Sequence, residues 1–380
     1  MSTIPTSQQN QQPETAATAS AVPARADLTK PRKRDWYAPL LDKGMLPDGL
    51  LKWAIQKRLL RKLKEMRAGG IEATHERFRA FLDDLAQAPI AELPDSANEQ
   101  HYELPPAFFE LTLGTHLKYS CALWEPGTST LDEAEAAMLE LTCARARLRD
   151  GDRILELGCG WGSLTLWMAE HYPQAQVTAV SNSGPQREFI MARAKERGLK
   201  NLEVITCDMN DLDSDRLGGR TFDRAVSIEM FEHMKNYRRL LANVASWLEP
   251  AGTLFVHIFT HREQAYHFMP TDDWFGEHFF TGGTMPSDHL LHHFQRDLTL
   301  ADHWRVDGQH YEKTADAWLA NHDANAHKVR RVMRETYGDD AGEAWFHRWR
   351  VFWIGCSALW GLKGGSEYLV SHYLFEKPSA

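Results

Sequence analysis

Apolar and polar stretches alternate along the chain in a way that predicts a doubly wound α/β domain. Short apolar runs bounded by turn residues predict strands at 153–157, 176–180, 202–206, 222–228, 252–258 and 368–375. Segments of helical spacing separate the earlier strands, which is the order expected of a mostly parallel sheet covered by helices on both faces.

Ahead of the sheet, apolar residues recur at helical spacing and predict helices at 48–67, 73–88 and 129–147. The helix at 48–67 is amphipathic, because leucines line one side and lysines and arginines lie between them. We favour packing of the apolar stripe on the main domain. Peripheral contact of this helix with an anionic membrane surface stays open as an alternative.

The interval 260–365 interrupts the alternation and is mostly helical and aromatic. An insertion of this size before the last strand is expected to cap the carboxyl ends of the strands, where ligands bind in such folds. The first 34 residues are polar and of low complexity, so we expect a disordered tail. The predicted organisation is a tail at 1–34, a helical N-terminal region at 35–147, a ligand-binding core at 148–259, a helical cap at 260–365, and a last strand with a short tail at 366–380.

Composition narrows the class of protein. Hydrophobic residues make up 43% of the 380 and charged residues 25%, which is ordinary for a soluble globular enzyme. The net charge of −9 argues against a general nucleic-acid binder, and no apolar run reaches the roughly 18 residues of a membrane span. The five cysteines are scattered without a C-x-x-C pair and the first residues lack a secretory pattern, so we expect a cytoplasmic protein with reduced thiols.

Three histidines at helical spacing, His289, His292 and His293, raise the question of a metal site. No cysteine or acidic ligand set accompanies them, so we predict an ordinary helical turn and no bound metal.

A glycine-rich loop, Glu-Leu-Gly-Cys-Gly-Trp-Gly at 156–162, directly follows the first predicted strand. Glycines there allow the backbone to approach a nucleotide-like ligand closely. An NAD site fits poorly, because Ser163 stands where the third fingerprint glycine belongs and the second strand runs into 181–183 without a carboxylate for the ribose. The loop therefore indicates a different nucleotide-like ligand.

Acid–base residues crowd the end of the fourth predicted strand, where Glu229, Glu232 and His233 follow one another closely. Clustered carboxylates repel each other and must be solvated or paired, so they are unusual as a stabilising feature. Such a cluster at the carboxyl edge of a sheet is a cue for a functional site.

Together these motifs resemble the cyclopropane fatty acid synthase superfamily of methyltransferases, and within it the coclaurine N-methyltransferase group. The resemblance covers about residues 48–377, in order. The segments that carry it are 119–121, 156–162, 181–183 with 186, 232–236, 272–274, 280–286, 303–304, 349–352 and 367–377.

The resemblance implies a class I Rossmann-like methyltransferase fold with S-adenosylmethionine as the cofactor. It implies that Asn182 and Gln186 replace the missing ribose carboxylate, and that Glu232 and His233 stand at the acid and base positions beside the acceptor. Glu229 is a further candidate there. The cofactor contacts implied are Tyr119, Ser120, Gly158, Gly160, Asn182, Gln186, Asp208 and Met209.

The acceptor has two interpretations. The segments 232–236, 280–286 and 367–377 favour methylation of an amine nitrogen on a small, alkaloid-like molecule. The synthases of the superfamily instead act on unsaturated phospholipid chains with a bicarbonate held by a cysteine, a glutamate and a histidine, and Cys121, Glu232 and His257 match those places. A non-enzymatic binding protein is disfavoured by the intact glycine loop, and self-association as a homodimer stays open.

Overall fold

The computed structural model describes residues 36–92, 104–268, 274–280 and 282–379, so the predicted tail at 1–34 lies outside the described residues. Its strands are β1 (Arg153–Leu157), β2 (Gln176–Ser181), β3 (Leu202–Thr206), β4 (Phe222–Ile228), β5 (Leu248–His261), β6 (Tyr266–His267), β7 (Thr284–Met285), β8 (Thr299–Val306) and β9 (Tyr368–Glu376). Its helices are α1 (Ala38–Asp42), α2 (Asp48–Met66), α3 (Gly70–Gln87), α4 (Pro106–Thr112), α5 (Leu131–Arg145), α6 (Ser163–His171), α7 (Gly184–Glu196), α8 (Tyr237–Trp247), α9 (Trp274–His278), α10 (Gly308–Ala324), α11 (Ala326–Tyr337) and α12 (Asp339–Trp360).

One seven-stranded sheet forms the centre of the molecule in the order β3-β2-β1-β4-β5-β9-β8. Strands β1 to β5 run parallel to one another, and β9 and β8 are antiparallel to their neighbours. Successive residues of β1 face opposite sides, so Ile154 joins the apolar cluster of α6 and Leu155 joins that of α8. The doubly wound α/β fold predicted from the sequence is confirmed.

Strand β8 was not predicted, because it lies inside the interval 260–365 that the sequence assigns to a helical cap. Its residues, TLADHWRV, are mostly half-exposed and contain no continuous apolar run. A strand at the edge of a sheet pairs with one neighbouring strand only, so it can keep more polar residues and its apolar strand pattern is weak. The rest of the interval is largely helical, in α9 to α12.

The helical region before the core packs on the cap rather than standing apart. Lys52 of α2 donates from Nζ to Glu312 Oε1 and to Ser357 Oγ, both at 2.8 Å. Asp48, at the start of the same helix, accepts from Arg350 of α12. Trp53 on the other side of α2 is 57% exposed, and no helix of the described residues is long and apolar enough to cross a membrane.

The carboxyl ends of the parallel strands gather the loops that hold the candidate chemistry. The glycine loop leaves β1, Asp208 follows β3, and Glu229 follows β4. Helix α5 brings Arg145 to the sheet at its last turn, and it begins with a capping box in which Thr130 accepts from the backbone N–H of Glu133. The site is therefore built at the sheet edge that such folds use for ligands.

Candidate active site

The loop after β1 has a left-handed backbone that favours glycine. Gly158, Gly160 and Gly162 all have positive φ, at 80°, 52° and 82°. A Cβ atom added to Gly158 would lie 2.6 Å from Met230 Cγ, and one added to Gly162 would lie 2.6 Å from Ile190 Cγ1. The spacing of glycines in the sequence thus reflects a tight turn packed against two neighbouring elements.

A cavity of about 140 Å³ opens beside this loop, and we call it the loop cavity. All eight residues that the resemblance gave to the cofactor lie on its wall, namely Tyr119, Ser120, Gly158, Gly160, Asn182, Gln186, Asp208 and Met209. Glu156, the first residue of the glycine-rich motif, also lies on this wall, and the structure adds Lys118, which the sequence analysis did not single out.

Four residues on the wall of the loop cavity have a buried polar atom without a hydrogen-bond partner among the described residues, namely Thr142, Trp161, Ser163 and Gln186. The Gln186 side chain accepts from Ser181 Oγ at 2.7 Å, while its buried Nε2 has no hydrogen-bond partner among the described residues. Ser163 Oγ also has no hydrogen-bond partner among the described residues. Because an unsatisfied buried polar group costs about 1–3 kcal/mol, these atoms fit a ligand with hydroxyl or carboxylate oxygens.

Glu156 supplies the cavity with a carboxyl group that burial keeps mostly protonated. It is 2% exposed, and desolvation raises its pKa to about 8 while Thr165 Oγ1 donates to it at 2.5 Å. A ligand ammonium group next to it would favour the ionised form. The loop cavity can therefore hold a zwitterionic nucleoside such as S-adenosylmethionine.

A second cavity, of about 500 Å³, lies between the N-terminal helices, β5 and the cap, and we call it the aromatic cavity. Its volume is in the range of sites for drug-sized ligands. Its aromatic lining consists of Trp36, Tyr37, Tyr119, Phe259, Tyr266, Phe268, Trp274, Phe275, Phe280, Tyr311, Trp318, Phe352 and Trp360. Tyr119, Glu229 and His233 line both cavities, so the two cavities meet at these residues.

Glu229 lies at this junction and accepts hydrogen bonds from three elements. Its Oε1 accepts from the Cys121 backbone N–H at 3.3 Å and lies 3.3 Å from His257 Nε2. Its Oε2 accepts from the Tyr311 hydroxyl of α10 at 2.6 Å. Burial raises the pKa of Glu229 to about 7 against the opposing effects of Lys118 and these donors.

Glu232 also faces the aromatic cavity, but it is less well satisfied than Glu229. It is 2% exposed, and its Oε2 has no hydrogen-bond partner among the described residues. Burial, reinforced by the negative charge of Glu229, raises the pKa of Glu232 well above its usual range. Near neutral pH Glu229 is therefore the member of the pair that ionises, while Glu232 stays protonated.

His233 is half-buried and stacks on Phe280, with ring centroids 5.4 Å apart and planes inclined by 23°. It follows Glu232 in a short 3₁₀ turn, Phe231–His233, which turns its ring toward the meeting point of the two cavities. The structure thus brings together the three acid–base residues that the sequence placed after the fourth strand.

Cys121 and His257 are fully buried behind Glu229. The Cys121 thiol donates to the Ala122 carbonyl at 3.3 Å, and burial raises its pKa well above the usual range, so it stays a neutral thiol. Burial lowers the pKa of His257 well below its usual range, so this imidazole is neutral too. In the structure both residues bond to Glu229, whereas the resemblance grouped them with Glu232.

Several residues of this site escaped the sequence analysis because no motif marks them. Lys118 is 2% exposed and donates from Nζ to the Cys121 carbonyl at 2.8 Å, as well as to Ser120 Oγ. Tyr311 comes from the cap, far along the chain from Glu229. Only the fold places these residues next to one another.

The histidines of the segment 289–293 make structural contacts. The rings of His289 and His293 pack on Phe78 of α3, with centroids 4.8 and 5.2 Å away. Across the described ranges, no group of three or more histidine, cysteine or acidic side chains is arranged to hold a metal ion.

Comparison with known proteins decides the family. Residues 92–359 match the family described as mycolic acid cyclopropane synthetase. The chain belongs to this family. It is 38% identical over 347 residues to (S)-coclaurine N-methyltransferase of Thalictrum flavum subsp. glaucum, covering 89% of this chain and 94% of that protein.

A second similar plant protein and a similar solved structure agree. Pavine N-methyltransferase of the same plant is 35% identical over 365 residues, covering 92% of this chain and 99% of that protein. The crystal structure of coclaurine N-methyltransferase bound to N-methylheliamine and S-adenosylhomocysteine superimposes with a TM-score of 0.85 at 34% identity, covering 90% and 98% of the two chains. This member of the family is therefore an S-adenosylmethionine-dependent methyltransferase.

The glycine loop offers a direct test of where this family member holds its cofactor. We expect Gly158→Ala to abolish measurable S-adenosylmethionine binding, because the new Cβ strains a backbone at φ 80° and collides with Met230. Isothermal titration calorimetry with S-adenosylhomocysteine measures this. Gly184→Ala is the matched control, since its Cβ would meet nothing within 4 Å and should leave the affinity unchanged. Normal binding by Gly158→Ala would place the cofactor elsewhere.

Proposed function

We propose that the protein transfers a methyl group from S-adenosylmethionine to the nitrogen of a small, aromatic, alkaloid-like amine. The observation that carries the proposal is the position of the Glu229 carboxyl group, which lies where the loop cavity meets the aromatic cavity and has the Glu232 carboxyl group beside it on the wall of the aromatic cavity. An ammonium group bound there would meet a buried carboxylate and several aromatic faces. The names of the two similar plant enzymes and the ligand of the similar crystal structure support this acceptor.

In this proposal the cofactor occupies the loop cavity. When bound, S-adenosylmethionine supplies an electrophilic methyl group on its sulfonium sulfur. Glu156 would meet its ammonium group, and the free donors of Gln186 and Ser163 would meet its oxygens. Asp208 follows β3 and is held in place by accepting from the backbone N–H of Asn210 at 2.6 Å, so it can receive a ribose or adenine donor.

The amine acceptor reaches the aromatic cavity in its protonated form and has no lone pair until a base removes a proton. The Glu229 carboxylate attracts and orients the ammonium group, because its three donors fix its position. His233 stands at the same junction and accepts the proton on its ring. The protonated imidazole then passes the proton toward solvent, and the neutral nitrogen is left facing the loop cavity.

The walls of the aromatic cavity decide which amines fit. Tyr311 stacks on Trp360 with centroids 4.6 Å apart and planes inclined by 2°, which leaves flat apolar surfaces beside Glu229. Such walls hold a bulky aromatic cation and exclude water from the reacting nitrogen. Small, strongly hydrated amines gain little there, so we expect a preference for polycyclic substrates.

Modification of unsaturated phospholipid chains is the competing function, since an apolar cavity also accepts an acyl chain and Cys121 and His257 are both present. The structure offers a discriminating residue. The Cys121 thiol bonds to the Ala122 carbonyl, and only its backbone N–H meets Glu229, so the side chain has no task in amine methylation. His257 does not discriminate, because its ring bonds to Glu229 in either case.

The experiment uses methyl-labelled S-adenosylmethionine with two acceptor pools, benzylisoquinoline-type and simple amines against vesicles of unsaturated phospholipid. We expect label in the amine pool, greater for the polycyclic amines, and an unchanged rate in Cys121→Ala. Cys143→Ala, another buried cysteine in a different apolar cluster, is the control for lost packing. Label in the lipid pool that Cys121→Ala abolishes would instead establish the lipid reaction.

A further inference from the structure

A row of side chains crosses the sheet beside the proposed methyl-transfer site. Ile228, the last residue of β4, is paired with His257 of β5, and His257 is paired with His372 of β9. His372 is in turn paired with Trp304 of β8. Residues paired directly across strands share one face of the sheet, and the two imidazole rings lie with centroids 4.6 Å apart.

Arg145, at the last turn of α5, closes this row on the side away from Glu229. Its guanidinium lies 5.0 Å from the centroid of the Trp304 ring, and its Nη1 lies 2.8 Å from His372 Nδ1. A guanidinium has donors only and keeps its proton at every pH relevant to the enzyme. His372 Nδ1 must therefore be the acceptor of this bond.

The direction of every other bond in the row follows from that first one. A neutral His372 that accepts at Nδ1 carries its proton on Nε2, which lies 2.9 Å from His257 Nδ1. His257 then accepts at Nδ1 and carries its own proton on Nε2, 3.3 Å from Glu229 Oε1. Both histidines are fully buried, and burial lowers the pKa of each well below the usual range, so both stay neutral.

We infer that Arg145, His372 and His257 form a one-way hydrogen-bond chain whose task is to present a donor to Glu229 at the methyl-transfer site. The inference rests on the proposed function for the role of Glu229, and it adds three positioning residues to that role. We call these three residues the histidine chain. They touch neither cavity directly among the described contacts, and they act through the carboxylate.

The chain explains an otherwise costly arrangement. Two imidazoles and a guanidinium lie inside or against the sheet, where apolar side chains would pack without polar groups to satisfy. A lone neutral histidine beside Glu229 could present either an acceptor or a donor nitrogen, depending on its tautomer. Anchoring the far end of the chain on Arg145 removes that choice, so the nitrogen facing Glu229 is always a donor.

The first test needs neither cofactor nor amine. Nitrogen-15 labelling of histidine in the full chain, read by two-dimensional NMR of the free enzyme, reports which ring nitrogen bears the proton. We expect His257 and His372 as neutral Nε2–H tautomers, assigned by comparison with His257→Gln and His372→Gln. We expect Arg145→Met to convert His372 to a tautomer mixture. An Nδ1–H form or an imidazolium at either position in the wild type would overturn the inference.

The second test measures methyl transfer to an amine. We expect Arg145→Met, His372→Phe and His257→Phe each to lower kcat about tenfold, the effect of losing one hydrogen bond to a charged group, with unchanged affinity for S-adenosylhomocysteine. Because the three act in series, the Arg145→Met/His372→Phe double variant should lose no more than the worse single variant. His257→Gln, which keeps a donor at the Nε2 position, should recover most of the rate.

The matched control is Arg224→Met, which removes a partly buried arginine at the opposite end of β4, where it pairs with Asp152. Its kcat should stay at the wild-type value even where its melting temperature falls. Additive losses of kcat in the double variant, or no recovery of kcat in His257→Gln, would contradict the inference and show that the three residues contribute only packing. If the tautomers are as expected but no amine is methylated, the proposed function fails and the hydrogen-bond chain stands.

Discussion

Glu229→Gln is expected to lower kcat/KM for methyl transfer to an amine by at least about two orders of magnitude, because removing one partner of a buried charge pair costs about 3–5 kcal/mol. The amide has no charge to offset the ammonium group of the acceptor. It also turns an NH2 group toward donors that the carboxylate now satisfies, including the Tyr311 hydroxyl at 2.6 Å. Initial rates with labelled S-adenosylmethionine measure the loss, and calorimetry should show unchanged cofactor affinity.

The pH dependence gives this prediction a second readout. Burial raises the pKa of Glu229 to about 7, so protonation removes the carboxylate as the pH falls below that value. In the wild type, kcat/KM should therefore fall about tenfold per pH unit on the acid side. The sign for stability is opposite, since a raised pKa means that the folded state prefers the protonated acid and loses stability as the pH rises from about 4.5 to 7.

A matched control for Glu229→Gln is Glu135→Gln. Glu135 is fully buried, and its pKa is likewise raised by desolvation to about 7, but it accepts from the backbone N–H groups of Gly114 and His116. We expect this variant to lose stability. Its folded fraction should keep the wild-type kcat/KM, including the fall of kcat/KM at acid pH. A Glu229→Gln enzyme that methylates amines at the wild-type rate would remove the carboxylate from the mechanism.

The fold could be predicted from sequence where burial on both faces imposes a strong apolar pattern. Strands β1, β2 and β4 lie inside the sheet, and their predicted bounds differ from the observed ones by no more than one residue. Strand β3 lies at one edge, but its short apolar run was recognised with the same accuracy. Strand β8 lies at an edge and keeps polar, half-exposed residues, so its sequence does not differ enough from the surrounding helices and loops. Strand β5 extends past its predicted end because β9 pairs with it as far as His261, and it begins earlier than predicted because Leu248 pairs with Phe222 of β4.

The candidate site was predictable where a local motif records a backbone constraint. The glycine loop needs positive φ at several positions, and the cluster at 229–233 follows one strand directly, so both are visible in the sequence. Three residues that support Glu229, either directly or through the histidine chain, were not visible in this way. Tyr311, His372 and Arg145 come from two helices and a strand that only the sheet order brings together, and a single tyrosine, histidine or arginine carries no signal of its own.

The resemblance placed Glu232 in the centre of the acid–base chemistry, and the structure gives Glu229 the larger set of bonds. The difference has a physical cause. Glu229 leaves β4 with a positive φ of 45°, which turns its side chain back toward β5 and the cap. Glu232 follows within a 3₁₀ turn and keeps one oxygen without a partner among the described residues. We therefore assign orientation of the acceptor to Glu229 and proton removal to His233.

His233→Ala is expected to lower kcat/KM near neutral pH by about 10²–10⁴-fold, the usual contribution of a general base. The loss should shrink as the pH rises, because the neutral fraction of the amine grows about tenfold per pH unit below the pKa of the amine and needs no base. A profile of kcat/KM from pH 6 to 10 measures this. Added imidazole should restore part of the rate at neutral pH, since the substitution leaves space beside Phe280.

Two comparisons separate loss of the base from loss of packing around it. Phe280→Leu removes the ring on which His233 stacks and keeps the imidazole, so it should weaken acceptor binding. Its loss of rate should not shrink at high pH, unlike the loss in His233→Ala. His116→Ala removes a half-buried histidine that packs on Trp167 away from both cavities, and it should leave methyl transfer unchanged. If the His233→Ala loss is the same at every pH, the base is another group. Glu232 is then the next candidate, because it faces the same cavity with a carboxyl oxygen that has no partner among the described residues. Burial raises the pKa of Glu232, so the deprotonated form that a base needs would appear only at high pH.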